Sequence, residues 1–204
     1  MNQKTDMMVG AILAGGLSSR FGSDKARAVL DPKVGPVTLV LSRMLRDLGM
    51  PVTLLCGAAP RYEDFEFQEL VDLFPGKGPL GGLHVALTRF FPCAVVLLSC
   101  DMPLVSSHHI QRLISERRPG SYATVFGDAA GPLPFPGIYE SSSLQVANHL
   151  MAKGEGGIKD LLSLLPSVTV LPSSPSDGWL ADIDTPQDFE KIKEDLCLCQ
   201  AQWN

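Results

Sequence analysis

The chain has 204 residues, 45% of them hydrophobic and 19% charged, with a formal net charge of −5. That length suits one domain, residues 1–204, whose core is large enough to fold without staples, and the negative balance argues against a general affinity for nucleic acid. No apolar run approaches the about 20 residues of a membrane helix, and residues 1–6 lack the apolar core of a signal peptide, so a cytoplasmic protein with no membrane or nucleic acid partner is expected.

Taken in order, residues 9–13 form a short, continuous apolar run that stops at a glycine pair, the pattern of a buried strand. Residues 28–30 suggest a second short strand before the turn cluster 31–36. Val37, Val40, Leu41, Met44, Leu45 and Leu48 recur at helical spacing, closed by Gly49 and Pro51. Strands are expected at 52–56 and 69–71, and the residues around 61–69 between them look like a solvated charged loop. A glycine-rich loop at 75–83 then enters a helix whose buried stripe is Leu80, Leu83, Leu87 and Phe91.

Residues 93–99 make the most apolar strand, with Asp101 just past its end. A helix over 107–117, strands at 123–126 and 137–139 around a Pro-rich stretch, helices at 144–151 and 158–165, a strand at 168–171 and a helix after Pro186 complete the chain. Strands alternating with amphipathic helices predict an α/β fold, a single Rossmann-like three-layer αβα domain with a mainly parallel sheet. In such sheets ligands bind beyond the carboxyl ends of the strands. Five cysteines (Cys56, Cys93, Cys100, Cys197, Cys199) form no disulfide framework, and Cys197-x-Cys199 lacks a second pair at zinc spacing.

The stretch Leu13-Ala14-Gly15-Gly16-Leu17-Ser18-Ser19-Arg20-Phe21-Gly22-Ser23-Asp24-Lys25 carries the first chemical signal. Glycines without a Cβ allow close backbone approach, successive N–H groups make an anion-binding concavity, and Arg20 and Lys25 add fixed positive charge. The Walker pattern fails because Gly16 and Gly22 are six apart and Lys25 comes three later; the dinucleotide fingerprint fails because the glycines are adjacent. The reading is a loop that grips phosphates. Asp101, in Cys100-Asp101-Met102-Pro103, is either a helix cap or a metal ligand, and Ser106 or Ser107 is the better cap. Gly78-Pro79-Leu80-Gly81-Gly82 offers small residues and free N–H groups at a helix start. Asp72 alone reads as a turn former, and Thr185-Pro186 with Asp188 as a helix start. His84, His108, His109 and His149 have no partner at metal spacing.

The first stretch resembles the L-A-G-G-x-S-x-R-[MF]-G-x-D-K signature of nucleotidyltransferases, and among these the molybdenum cofactor guanylyltransferases. Cys100-Asp101-Met102-Pro103, Gly78-Pro79-Leu80-Gly81-Gly82 and Asp182-Ile183-Asp184-Thr185-Pro186 resemble further segments of that family, in order along nearly the whole chain. The resemblance implies magnesium-dependent transfer of GMP from GTP to molybdopterin phosphate with release of pyrophosphate, and molybdoenzymes or other cofactor-biosynthesis proteins as partners. It assigns magnesium (Mg2+) to Asp101, nucleotide contacts to Leu13, Ala14, Gly15, Gly16, Lys25, Asp72, Gly78, Pro79, Leu80 and Asp101, and a second metal or substrate contact to Asp184. On this reading Arg20 and Lys25 face the triphosphate, N–H groups of residues 14–17 cradle it, and the missing methyl at Gly15 makes room for a larger base or a further backbone contact. The chain departs from the family at Asp182, where the family has Asn, and at 154–162, which lacks the family's Arg and Ser, with Lys153 or Lys159 as substitutes. A sister enzyme using CTP or a sugar or polyol phosphate, and a non-catalytic relative that partners a molybdoenzyme, are the alternatives.

Overall fold

The computed structural model describes residues 7–16, 21–22, 24–154, 156–174 and 178–200, with side chains through residue 194. In chain order its strands are β1 (Met8–Leu13), β2 (Val52–Leu55), β3 (Gln68–Leu70), β4 (Ala94–Ser99), β5 (Ala123–Asp128), β6 (Gly131–Tyr139) and β7 (Val168–Pro172). The helices are α1 (Val37–Asp47), α2 (Gly78–Arg89), α3 (Ser107–Ser115), α4 (Ser143–Lys153), α5 (Ile158–Leu164) and α6 (Pro186–Gln200).

The strands form one sheet in the order β3-β2-β1-β4-β6-β5-β7. β1 pairs in parallel with β2 and β4, and β6 alone runs antiparallel, between β4 and β5. Side chains alternate across the sheet, as the two-residue period of a strand requires. Ile12, Val96 and Leu98 enter a core with Leu41 and Leu45 of α1, Ile110 and Leu113 of α3 and Ile192 of α6. Ala11, Val95 and Leu97 enter the opposite core with Leu83 and Leu87 of α2, Leu150 of α4 and Leu161 of α5. β4 is buried along its whole length, which explains why it reads as a continuous apolar run without alternation. The expected three-layer α/β architecture is therefore the observed one. None of the described helices is long and apolar enough to cross a membrane.

Three local expectations change. Residues 28–30 form no strand; Ala28 closes a 3-10 turn (Lys25–Arg27) by donating to the Lys25 carbonyl, and its own carbonyl accepts from Val37 at the start of α1. The Pro-rich stretch does not separate two strands but belongs to β6. Its residues pair with β5 only at Gly131 and Pro132, and β4 meets β6 only at 137–139, so Pro134 and Pro136 sit where no ladder donor is required. The supposed solvated loop around 61–69 buries Tyr62 and Phe65.

Glycines set how closely the elements meet at the carboxyl edge. A Cβ on Gly82 would stand 2.9 Å from Leu13 Cδ2 and 3.2 Å from Leu55 Cδ1, so α2 rests directly on the ends of β1 and β2. A Cβ on Gly15 would stand 2.5 Å from the backbone nitrogen of Gly57, whereas one on Gly16 would meet nothing within 4 Å. The space at Gly15 therefore belongs to the loop after β2, not to a bound base. Backbone cannot yield as a side chain does, so Gly15→Ala should cost about 1–3 kcal/mol. In a domain of this size that lowers Tm by about 3–10 °C, while Gly16→Ala stays within about 1 °C. Thermal unfolding of the two variants side by side is the measurement, and equal Tm values would contradict the packing argument.

Candidate functional site

Strand order reverses at β1, with β2 and β3 on one side and β4 and the rest on the other. Loops leaving β1 and β4 there diverge and leave a crevice at the carboxyl edge. Backbone hydrogen bonds extend the sheet just past its strands: Ala14 N donates to Leu55 O at 2.9 Å, Cys100 N to Leu13 O at 3.1 Å, Cys56 N to Leu70 O at 2.9 Å and Asp72 N to Gly57 O at 2.7 Å. These bonds fix where each loop departs. Because the Ala14 N–H is spent on Leu55, it cannot join the phosphate cradle expected for residues 14–17.

The crevice holds a cavity of about 530 Å3. Leu13, Ala14, Gly15, Gly16 and Lys25 line it from the β1 side, Asp72, Gly78 and Pro79 from β3 and α2, and Asp101 from β4. Residues from four segments that the sequence singled out thus share one cavity. Leu80 does not: it is fully buried in the core under α2. Arg20 lies outside the described residues, as does Leu17 of the expected cradle. Cys197 and Cys199 lie in α6 beyond the described side chains.

Each charged group has a local reason for its position. Asp24 accepts from Ala26 N at 3.0 Å, capping the 3-10 turn that carries Lys25. Lys25 Nζ donates to Asp184 Oδ1 at 2.6 Å. Its side chain is 14% exposed and that of Asp184 57%, so the pair contributes about 1 kcal/mol at most and serves chiefly to hold the amine in place. Asp184 arrives there because Ile183 N donates to Asp101 O at 2.8 Å, docking the late segment on the end of β4. That docking also brings Asp182 next to Asp101. Partial desolvation, followed by the like charges of Asp101 and Asp184, pushes the Asp182 carboxyl up to about 6, opposed by Lys25.

Two carboxylates face the cavity with an unsatisfied oxygen. Asp101 Oδ1 and Asp72 Oδ1 are buried and have no hydrogen-bond partner among the described residues, a costly state unless a ligand completes them. Burial pushes the Asp72 carboxyl up, and the nearby His84 opposes that shift. Gly81 makes room for Asp72, since a Cβ on that glycine would stand 2.9 Å from Asp72 Oδ2. Asp101 is not a helix cap: Ser106 caps α3, in a capping box with His109. Among the described residues no group of three or more His, Cys, Asp or Glu side chains could hold a metal by itself.

A second cavity of about 990 Å3 adjoins the first, with Phe135 lining both. Trp179, Lys159, Lys191 and Asp182 are among its walls. Phe135 and Trp179 carry no warning in the sequence, because each stands in a turn-rich stretch without periodicity. Lys159 is the lysine of the 154–162 segment that reaches this wall. Gly154 is tied to the residue before α2 by the Lys77 ammonium, which donates to its carbonyl. His84 is buried, its Nε2 2.8 Å from Asn148 Oδ1. Thr185 N donates to Asp188 Oδ2 at 2.8 Å, so that segment starts α6.

Comparison with known proteins agrees with this fold. Residues 10–169 match the family model described as MobA-like NTP transferase domain. The probable molybdenum cofactor guanylyltransferase of Deinococcus radiodurans is 31% identical over 188 residues, covering 91% of this chain and 93% of its own. The protein of the same name from Flavobacterium johnsoniae is 28% identical, covering 91% and 96%. The crystal structure of molybdopterin-guanine dinucleotide biosynthesis protein A from Archaeoglobus fulgidus superposes with a TM-score of 0.76 at 23% identity, covering 94% of this chain and 98% of that one. The 2-C-methyl-D-erythritol 4-phosphate cytidylyltransferase of Thermus thermophilus shares the fold at a TM-score of 0.66 and 16% identity, covering 94% and 99%. With more than half of its length inside the matched model, this chain belongs to the MobA-like NTP transferase family.

Proposed function

We propose that the protein transfers GMP from GTP to the phosphate of molybdenum-molybdopterin and releases pyrophosphate. The observation that carries this reading is the polarity of the first cavity: a glycine loop and Lys25 at one wall, an unsatisfied buried carboxylate at the other. Gly15 and Gly16 offer N–H groups to the triphosphate, and Lys25 and Arg20 offset its charge. Asp72 reads the base. Guanine presents two adjacent donors, N1–H and the N2 amino group, which a carboxylate accepts in parallel. Cytosine and adenine each set a ring-nitrogen acceptor beside their amino donor, and that acceptor would face a carboxylate oxygen.

The acceptor occupies the second cavity, where the Trp179 and Phe135 rings suit a flat heterocycle and Lys159 and Lys191 suit its phosphate. Its phosphate oxygen attacks the α-phosphorus of GTP; the new O–P bond forms as the bond to the β-phosphate oxygen breaks. A phosphate monoester carries about −1.5 to −2 charges at neutral pH, so no general base is required. The task is to bring two anions together and offset charge on the departing pyrophosphate. Asp101 would hold magnesium, which tolerates one or two carboxylates and takes its other ligands from substrate phosphates and water. The orphaned Asp101 oxygen fits such a cation. When bound, it would draw negative charge off the phosphates. Lys25 stays poised through Asp184, and Asp182 lines the second cavity, where its charge opposes an incoming phosphate.

Calorimetric titration of GTP, CTP and ATP with magnesium, followed by pyrophosphate release in the presence of molybdopterin, tests the proposal. GTP should bind preferentially, and Asp101→Asn should lower turnover at least about 100-fold with Tm preserved, removing one charge-assisted ligand from the transition state. CTP preference would transfer the assignment to a cytidylyltransferase, and binding without turnover to a non-catalytic relative. Asp72→Asn removes one of two parallel acceptors, so GTP affinity should fall about 10- to 100-fold and the preference over CTP should shrink. Unchanged selectivity would remove Asp72 from base recognition. Asp182→Asn should lower the KM for the acceptor about two- to tenfold by removing a like charge, and a higher KM would show that this carboxylate is a required ligand.

A further inference from the structure

The segment after β2 holds a set of contacts that the proposed chemistry does not use. Tyr62 is fully buried, and its hydroxyl lies between two parts of the phosphate loop. It donates to the Ala14 carbonyl at 2.7 Å and, shared, to the Asp24 carboxylate at 2.9 Å. Arg61 Nη2 donates to the same Ala14 carbonyl at 2.9 Å. Ala14 and Asp24 bracket the loop between the end of β1 and the turn bearing Lys25, ten residues apart in the chain. On the outer side Arg27, two residues after Lys25, grips Asp64 with both terminal nitrogens at 2.7 Å and donates to Arg61 O at 3.0 Å. Its guanidinium lies over Phe65 and Tyr62, whose rings stack.

The segment is itself anchored to the sheet. Glu69, on β3, accepts from Arg61 N at 2.7 Å, Tyr62 N at 3.1 Å and Cys56 Sγ at 2.9 Å. Burial raises the Glu69 carboxyl, but the bonds from Cys56, Arg61 and Tyr62 prevail and hold it below the usual range. Burial and the Asp24 carboxylate push the Tyr62 phenol well up, so it stays a donor.

We infer that residues 61–65 act as a strap fixing both ends of the phosphate loop, with Tyr62 a positioning residue that holds the Lys25 turn at a set distance from Gly15 and Gly16. The inference rests on the nucleotide reading of the first cavity and adds a device to it. A loop with loose ends must be ordered when nucleotide binds, and that cost is subtracted from affinity. With its two ends pinned at Ala14 and Asp24, less of that cost remains when nucleotide binds. The hydroxyl is the only atom of Tyr62 that reaches both ends, so Tyr62→Phe removes the link while the ring keeps its place against Phe65 and Arg27.

The experiment compares wild type, Tyr62→Phe and the outer-face variant Asp64→Asn in two measurements. In the ligand-free protein, amide hydrogen exchange is read at Ala14, Ala26 and Arg27, each hydrogen-bonded in the structure, against Val96 and Leu97 in β4. In the folded variants, GTP affinity is titrated with magnesium at a temperature well below unfolding, and kcat and KM are measured. Tyr62→Phe should speed exchange at the three loop amides about tenfold with β4 unchanged, weaken GTP binding about tenfold and raise KM more than it lowers kcat. Asp64→Asn should give a smaller change of the same kind. A hydroxyl that only supports the fold would lower Tm and speed exchange everywhere while leaving GTP affinity of the folded protein unchanged, and that result overturns the inference. Unchanged exchange at the loop amides overturns it as well. Failure of wild type to bind any nucleotide would refute the proposed function instead, and the ligand-free exchange would still decide whether the strap exists.

Discussion

The pairing of β1 with β2 on one side and β4 on the other is the constraint on which the site depends. β1 is the strand at which the sheet's order reverses, so chains leaving its neighbours cannot follow the same course. The register aligns Leu13 with Leu55 and with Ser99, which brings all three strands to an end at the same level. One residue further on lie Ala14, Cys56 and Cys100, still hydrogen-bonded to the neighbouring strand; after them come Gly15, Gly57 and Asp101. Slipping either pairing by one residue would turn the β1 side chains to the wrong core and move the carboxylate away from the glycine loop. Fold and site therefore share a single register.

The late segment completes what the sheet begins. A single backbone bond, Ile183 N to Asp101 O, places Asp182 and Asp184 beside a carboxylate far earlier in the chain. This concentrates negative charge in a crevice proposed to receive an anion. Lys25 balances part of it through Asp184, while desolvation first and the like charges of Asp101 and Asp184 second push the Asp182 carboxyl up. An acidic crevice of this kind is poorly suited to a phosphate alone and well suited to a phosphate that arrives with a cation. The exposure of Asp184 matters here: in a high-dielectric setting the ion pair is weak enough to be exchanged for a phosphate oxygen without a large penalty.

Much of this could be read in the residues before any coordinates. The continuous apolar run of β4, the helical stripe of α1 and the glycine loop after β1 all signal locally, because burial on both faces, a 3.6-residue period and a Cβ-free turn each leave a mark within a few residues. What could not be read depends on contacts between distant segments. Residues 61–69 look solvated because their charges are visible and their partners are not: Glu69 is anchored by backbone donors, Arg27 and Asp64 are far apart in sequence, and Tyr62 and Phe65 are interleaved with acidic residues. The Pro-rich stretch was legible as a break only on the assumption of two full ladders, and β6 has one partial ladder on each side. Residues 28–30 have strand-like side chains, yet Ala28 spends its N–H on the 3-10 turn and its carbonyl on Val37 at the start of α1, with the turn at 31–36 between them.

Gly15 shows how the same residue can be legible in type and not in reason. A glycine at the start of a phosphate loop suggests room for a larger base or for a further backbone contact. The backbone of Gly57 occupies it, at a distance no Cβ could share. The proposed function therefore puts selection of the base at the far wall of the cavity, where the Asp72 carboxyl has an oxygen without a partner among the described residues. On the proposed reading, base recognition at β3 and α2 is separated in space from phosphate handling at β1 and β4. One fold can then serve different bases by changing a few residues on one wall, since nothing on that wall takes part in the movement of charge at the phosphates.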